Sequence, residues 1–277
     1  MGPSFRGPLV EELCENLQTS DVVQGLERYL VDKLGHAPST IGPVELDSVA
    51  RKLGVVSIQY ANIPCDAMLM PQGKNQYKIV LSRAASAERR KFSLAHEIGH
   101  AVIHRLLPRT TSLAKRSLFT QPGNVIEERL CDAIAARLLL PTSMCRKFLG
   151  EHELSPGLIR NVARKFGVSV SCAAIRVREL SGIDFAMLSF ASFRSEAIAL
   201  FDRVFANFER GRLRLRFGQQ FEPPSLVARA IEQGNVQNGW EWFSEGNRKR
   251  RLFVQCDGTT SDRFGALVFA VISRCEF

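Results

Sequence analysis

The feature that most constrains this chain is a His-Glu-x-x-His motif within the mostly apolar segment 92–104. On a helix, His96 and His100 lie one turn apart on one face, so their imidazole nitrogens can share a metal ion. Glu97 follows His96 directly, and its carboxylate can reach a water bound to that ion. Burying two histidines and a glutamate without partners is costly. The motif therefore predicts a largely buried helix that holds a metal.

The third protein ligand must come from outside the motif, because a catalytic zinc takes three protein ligands and leaves one position for water. A continued His-x-x-Gly-x-x-His pattern is excluded by Ile103 and Leu106. His104 lies about 12 Å from His96 along a straight helix and cannot reach the same ion. The missing ligand is therefore expected on another helix.

The next predicted helix, over 124–140, carries three acidic candidates: Glu127, Glu128 and Asp132. Glu128 and Asp132 are four residues apart and share a face, as in the gluzincin arrangement. There, the glutamate binds zinc, and the aspartate accepts the free N–H of the first histidine and fixes its tautomer. We assign Glu127 to the acidic first turn that a helix dipole favours. The predicted roles are therefore Glu128 as ligand, Asp132 as the group that orients His96, and Glu97 as base.

Composition and charge indicate a globular protein long enough for two domains, with 277 residues, 45% of them hydrophobic. No apolar run of membrane-spanning length and no signal peptide is evident, so we expect a cytoplasmic protein without membrane contact.

The seven widely spaced cysteines favour neither a disulfide framework nor a thiolate zinc site, although Cys65 and Cys131 could lie near the metal. Residues 105–180 contain thirteen basic and six acidic residues. This basic excess indicates either a solvated face or a surface that binds nucleic acid or an acidic partner.

The order of predicted elements is typical of a zincin-type peptidase, in which a small sheet packs on the first active-site helix. One or two helices are predicted over 9–33 and one over 44–53. Strands are predicted over 55–60, 68–71 and 77–81, and the motif helix from Ser86 to about 105. We take 77–81 as the exposed edge strand that an extended peptide substrate would join. Candidates for a second oxyanion donor are His104, Tyr60 and Tyr77.

The second half of the chain is predicted to change from helices to strands. A short helix over 142–149 and two helices over 156–166 and 169–181, with a tight turn at Gly167, are followed by strand-like runs. Those runs are 185–190, 213–217, 252–256 and 266–272, and they surround one helix over 223–233.

Two stretches resemble the ImmA/IrrE family of zinc metallopeptidases. Residues 88–104 match the family pattern Glu-Arg-x-Arg/Lys-Phe-Ser/Thr-Leu-Ala-His-Glu, and 128–141 match a Glu-x-x-x-Asp/Asn helix that stops at Leu-Leu-Met/Leu-Pro. The resemblance covers about 40–181. It implies zinc, or another divalent ion such as Mn²⁺, on His96, His100 and Glu128, with Glu97 as catalytic base. It also implies a substrate, a helix-turn-helix repressor whose cleavage derepresses stress-response or mobile-element genes.

Residues 160–181 resemble the helix-turn-helix region of the same family, with 169–181 as the recognition helix. The side chains that could face DNA are then Arg164, Ser169, Ser171 and Arg176. The alternative is that these helices only wall the protease domain. The first interpretation of the chain is a zinc endopeptidase, and the second is a DNA-binding regulator in which the zinc fold is a scaffold.

Residues 183–277 are similar in layout to the GAF-like sensor domain of radiation-response members. Trp240, Trp242 and Phe243 either line a pocket there or belong to its core. The predicted fold class is thus α+β. It comprises a zincin-like metallopeptidase domain with a small sheet over 1–151, a helix-turn-helix-like segment over 152–182 and an α/β GAF-like domain over 183–277. The oligomeric state is left open.

Overall fold

The computed structural model describes residues 5–32, 45–107, 125–150, 152–193, 196–207, 213, 215, 218–245, 248–261 and 265–273. Contacts divide the chain into two compact units. The first lies within Met1–Cys145 and Lys165–Ser169, and the second within Arg146–Arg164 and Val170–Phe277. The predicted boundaries after residues 151 and 182 stay predictions.

The first unit begins with three helices, α1 (Pro8–Leu17), α2 (Val22–Asp32) and α3 (Leu46–Lys52). The segment predicted as one or two helices is two, because Gln18 adopts a left-handed conformation with φ 49° and ends α1. Asp21 then starts α2, since its Oδ1 accepts hydrogen bonds from the backbone N–H groups of Val23 and Gln24.

A three-stranded sheet follows, formed by β1 (Val55–Ala61), β2 (Ala67–Gly73) and β3 (Gln76–Ser82) in the order β1-β3-β2. Strand β1 pairs parallel to β3, and β2 pairs antiparallel to β3. The prediction that 77–81 forms an edge is therefore wrong, because β3 is the central strand and both its sides are paired. Strand β2 is an edge, and Pro71 is tolerated there because an edge strand can lack a donor.

The motif lies on the long helix α4 (Ala87–Leu106), which packs against α5 (Val125–Leu139). Ser86 caps α4 as predicted, since its side chain accepts from the N–H of Arg89. Gly99 lets the helices approach closely, because a Cβ added there would lie 3.0 Å from the Cα of Cys131. The loop predicted over 107–123 lies outside the described residues except for Leu107.

Three shorter helices come next: α6 (Thr142–Leu149), α7 (Pro156–Phe166) and α8 (Val170–Ser181). Their bounds agree with the predicted segments within one residue. The turn between α7 and α8 contains Gly167 with φ 63°, a left-handed conformation that glycine adopts without strain.

The second unit contains an antiparallel sheet in the order β6-β5-β4-β9-β8-β7. The strands are β4 (Phe185–Phe193), β5 (Glu196–Ala206), β6 (Gln220–Phe221), β7 (Val236–Glu245), β8 (Arg248–Ser261) and β9 (Gly265–Ser273). Helix α9 (Leu226–Gln233) packs on one face of this sheet. The hydrophobic core that the helix and the sheet share includes Phe190, Phe243 and Val254. Of the predicted strand 213–217, only Leu213 and Leu215 lie among the described residues, and neither is in a strand.

The aromatic residues of β7 divide between core and surface. Phe243 is fully buried, whereas Trp242 is 59% exposed. Trp240 lines a cavity of about 520 Å³ between α9 and β7 together with Arg229 and Glu241.

The predicted mixed α+β class is confirmed, with one small sheet in the first unit and a larger sheet in the second. Among the described residues, no helix is long and apolar enough to cross a membrane.

Candidate metal centre

The two motif histidines lie side by side on α4, as their spacing predicts. Their ring centroids are 5.0 Å apart and their planes are inclined by 72°. His96 is half-buried and His100 is buried. Both rings contact acidic side chains of α5, so the site is formed between two packed helices.

Glu128 reaches both histidines on the same side. Its Oε2 lies 3.1 Å from Nε2 of His96, and its Oε1 lies 3.7 Å from Nε2 of His100. Two imidazole nitrogens and a carboxylate therefore converge, and this is a donor set that suits a catalytic zinc. The carboxylate is 37% exposed, so the site is accessible from solvent. The predicted third ligand is thus brought to the histidines.

The other nitrogen of each ring is held by a different carboxylate. Nδ1 of His96 donates to Oδ1 of Asp132 at 2.9 Å, the contact that the sequence predicts. Nδ1 of His100 donates to Oε1 of Glu127 at 3.0 Å. A proton fixed on Nδ1 leaves the Nε2 lone pair of each ring free for a metal. This chemistry fits a divalent ion bound between the Nε2 atoms and Glu128.

Glu127 is the site residue that the sequence argument missed. We assigned it only to the acidic first turn of α5; it does lie in that turn, but its side chain is 2% exposed and accepts a hydrogen bond from His100. The spacing points to Glu127 only once the direction of α5 relative to α4 is known. Helices α4 and α5 run antiparallel here, since His96 pairs with Asp132 and His100 pairs with Glu127. An orienting group for the second histidine is therefore expected about one turn before Asp132.

The carboxylates raise the pKa of both histidines. Burial acts to lower the pKa of His96, but the hydrogen bonds that its ring donates to Asp132 and Glu128 outweigh burial and raise that pKa to about 9. Burial likewise acts to lower the pKa of His100, and contacts with Cys131, Glu127 and Glu128 raise it well above its ordinary value. These raised pKa values favour the protonated form of each ring, so binding of a metal ion there would release protons.

Cys131 lies against the same histidines. One donor atom each from His96, His100 and Cys131 lie within 4.8 Å of one another. The thiol is fully buried, and burial raises the pKa of Cys131 to about 11 although His100 acts to lower it. The expectation that Cys131 could lie near the metal position agrees with this arrangement.

A cleft of about 200 Å³ opens beside His96. Glu97 lines it and is buried, which places the predicted base next to His96. Ala67, the first residue of edge strand β2, lines the same cleft. At the exposed rim, Nε of Arg89 donates to Oδ2 of Asp66 at 2.9 Å. The cleft thus places the Glu97 carboxylate, the predicted base, and the end of a strand next to His96.

None of the three candidates for a second oxyanion donor, His104, Tyr60 and Tyr77, is among the residues that line this cleft. The Tyr77 hydroxyl is buried and contacts Nδ1 of His104. Tyr60 is exposed, and the guanidinium of Arg90 lies 5.9 Å from the centre of its ring. Nδ1 of His104 is engaged by Tyr77, and that His104 is not a metal ligand stays a prediction.

The four predicted DNA-facing residues are not equally accessible. Arg164 and Ser169 are exposed, and Ser171 is half-buried. Arg176 is only 2% exposed, and its Nη1 donates to Oε2 of Glu179 at 2.9 Å. The expectation for Arg176 is corrected, because a buried guanidinium paired with a carboxylate is withheld from a phosphate.

Comparison with known proteins agrees with this architecture. A solved structure, a Mycobacterium tuberculosis transcriptional regulator, superposes with a TM-score of 0.55 at 15% identity, covering 96% of this chain and 79% of that chain. At this identity the likeness shows the fold alone. None of the curated proteins matches the chain. The family model of the IrrE N-terminal-like domain matches residues 55–178, which span the small sheet, the motif helix and the acidic helix. Residues 55–178, somewhat less than half of the chain, are thus similar to the IrrE N-terminal-like domain.

Proposed function

We propose that this protein is a zinc-dependent endopeptidase that hydrolyses a peptide bond in a cytoplasmic protein. The observation that carries the proposal is the convergence of Nε2 of His96 and Nε2 of His100 on the two carboxylate oxygens of Glu128. Asp132 and Glu127 hold the opposite nitrogens, so both rings present their lone pairs to one point. Two imidazoles with one carboxylate favour zinc, and Mn²⁺ is the alternative ion.

The side chains have distinct roles in the proposed hydrolysis. When bound, the metal polarises the scissile carbonyl and lowers the pKa of a water. Glu97 accepts the proton of the attacking water and delivers it to the nitrogen of the leaving amine. Its burial beside His96 keeps the carboxylate close to the reacting atoms. Asp132 and Glu127 orient the two imidazoles throughout.

The substrate would enter along β2. This strand is an edge of the small sheet, and Ala67 at its start lines the cleft. An extended peptide that adds to an exposed edge gains main-chain hydrogen bonds while its side chains reach the cleft. A helix-turn-helix repressor is the substrate class that the family resemblance supports.

Metal content and substrate cleavage test the proposal together. We expect about one divalent ion per chain in the purified protein. Comparison of protein N-termini in cells that produce wild type, Glu97→Gln or Glu88→Gln identifies the cleaved bond. Glu88 is the matched control, since it is exposed in the first turn of the same helix. New N-termini should appear with wild type and Glu88→Gln only. Equal cleavage by Glu97→Gln, or a protein that binds no ion, would overturn the proposal.

A second candidate function is DNA binding by α7 and α8. The supporting observation is the pair of helices joined at Gly167, with Arg164 and Ser169 exposed around the turn. The solved structure of similar fold is also named a transcriptional regulator. The buried Arg176 weakens this candidate relative to the peptidase, because it removes one expected phosphate contact.

A salt series of duplex DNA binding tests the second candidate. Each phosphate contact contributes about 0.9 to the slope of log affinity against log salt concentration, so Arg164→Ala should reduce the slope by about one. Arg51→Ala, an exposed arginine on α3, is the matched control. Unchanged slope and affinity in Arg164→Ala would leave α7 and α8 as structural helices.

A further inference from the structure

The described donor atoms around His96 and His100 include a sulfur that the peptidase mechanism does not use. Cys131 follows Glu128 by three residues on α5, so both side chains project toward α4 about one turn apart. Its side chain is fully buried, and its donor atom lies within 4.8 Å of donor atoms of both histidines. Helix α5 therefore presents two metal-ligating groups to the same pair of imidazoles.

The packing of the two helices holds the sulfur at this position. A Cβ at Gly99 would lie 3.0 Å from the Cα and 3.2 Å from the Cβ of Cys131. Gly99 thus allows α5 to approach the helical turn that lies between His96 and His100. Because Cys131 sits at this point of contact, its sulfur is held next to the histidines.

The distances are close to those of shared coordination. Bond lengths of about 2.0–2.1 Å for Zn–N and about 2.3 Å for Zn–S give a nitrogen-to-sulfur separation of about 3.6 Å in a tetrahedral site. The donor atoms of His96, His100 and Cys131 are no more than 4.8 Å apart, so the sulfur needs to approach each nitrogen by about 1.2 Å at most. Rotation about the single χ1 bond of a cysteine moves its sulfur by that much.

We propose that Cys131 is a fourth protein ligand of the metal, bound as a thiolate beside His96, His100 and Glu128. A metal–sulfur bond forms as the S–H proton leaves to solvent. Four protein ligands fill a tetrahedral site and leave no position for water, so the resting centre is closed. A thiolate also gives the site a preference for thiophilic ions. This inference rests on the proposed metallopeptidase function and describes the regulation of the same site.

X-ray absorption of the zinc-loaded full-length protein tests the ligand directly. A sulfur shell at about 2.3 Å is expected in wild type and should be lost in Cys131→Ser. Cys145→Ser is the matched control, because Cys145 is also buried in the first unit but does not belong to the cluster of metal-ligating groups. The wild-type spectrum alone decides the question if Cys131→Ser fails to fold. Zinc bound with only nitrogen and oxygen neighbours would overturn the inference.

Metal competition gives an independent measurement. Apo protein is titrated with Cd²⁺ and with Mn²⁺. Cys131→Ser should weaken Cd²⁺ binding by about tenfold or more and leave Mn²⁺ binding within about threefold. Equal losses for both ions, or none for Cd²⁺, would contradict a thiolate ligand.

The two proposals fail in distinguishable ways. If wild type binds zinc without sulfur and still cleaves protein, only the role of Cys131 is overturned. If neither wild type nor Cys131→Ser binds a divalent ion, the metallopeptidase proposal fails and this inference fails with it.

Discussion

Glu127 accepts a hydrogen bond from Nδ1 of His100 at 3.0 Å, and the two side chains are 2% and 4% exposed. The same kind of contact joins Asp132 to His96 near the surface, where the aspartate is 58% exposed. One imidazole is therefore oriented from the core and the other from the solvent side. Loss of the buried partner should matter more, because the histidine it leaves behind cannot recruit water as easily.

Glu127→Ala should lower zinc affinity by about 10- to 100-fold, since an imidazole without its carboxylate partner is a weaker and less ordered ligand. Asp132→Ala serves as the comparison and should have the smaller effect. Competition with a chromophoric chelator measures both constants. A larger loss of zinc affinity in Asp132→Ala than in Glu127→Ala would show that burial does not set the importance of these contacts.

Gly99→Ala should destabilise the first unit by about 1–3 kcal/mol, because the added methyl meets the backbone of Cys131 and overpacks the contact between α4 and α5. Urea unfolding followed by circular dichroism gives the free energy. Gly73→Ala is the control, since the atom nearest to its added Cβ would be Oε1 of Gln76 at 3.7 Å, an ordinary contact. Equal stability of wild type and Gly99→Ala would mean that α4 and α5 can separate at little cost.

The metal-free protein should lose stability as pH rises from about 6.5 to about 9. The pKa of His96 is raised from 6.5 to about 9 in the folded protein, so the folded state binds this proton more tightly than the unfolded state does. The stabilisation is complete below pH 6.5 and disappears as pH passes the folded pKa. Thermal melting of chelator-treated protein across this pH range measures the stabilisation, and Asp132→Asn should flatten the dependence of melting temperature on pH. A stability that rises over the same interval would contradict the assignment.

Asp257→Asn should destabilise the second unit by about 1–3 kcal/mol, because it removes a largely buried partner of Arg160. The guanidinium of Arg160 also lies 5.4 Å from the ring centre of Phe269, so loss of the carboxylate leaves the charge next to an aromatic ring. Glu232→Gln on the exposed face of α9 is the control. Denaturation monitored by tryptophan fluorescence reports on this unit, since Trp240 and Trp242 both belong to it. A change below about 0.5 kcal/mol, the usual range for surface substitutions, would show that solvent replaces the carboxylate.

The features predicted correctly are those in which neighbours in sequence are also neighbours in space. The bounds of α4 follow from the Ser86 cap and the apolar run, and the position of Glu128 and Asp132 follows from i, i+4 spacing. Glu127 was missed because its role depends on the antiparallel direction of α5, which one helix alone does not reveal.

The other errors in the predictions each have a physical cause. Strand β3 was taken as an edge because strand order depends on pairing between distant segments, and β5 and β7 were missed because charged residues such as Asp202, Arg203 and Glu241 interrupt their apolar pattern. The burial of Arg176 had a local signal: Cys172 and Ala173, four and three residues earlier on α8, are apolar and buried, so Arg176 shares their face.

The close approach at Gly99 has a consequence for how this protein responds to its surroundings. Helices α4 and α5 supply both the candidate ligands and much of the core of the first unit, so a bound ion ties together the same two helices that the core holds. Binding to the folded state alone adds stability that grows with the ratio of free metal to its dissociation constant. The folded fraction of this unit would then fall as cellular zinc falls, which makes its abundance a function of metal supply.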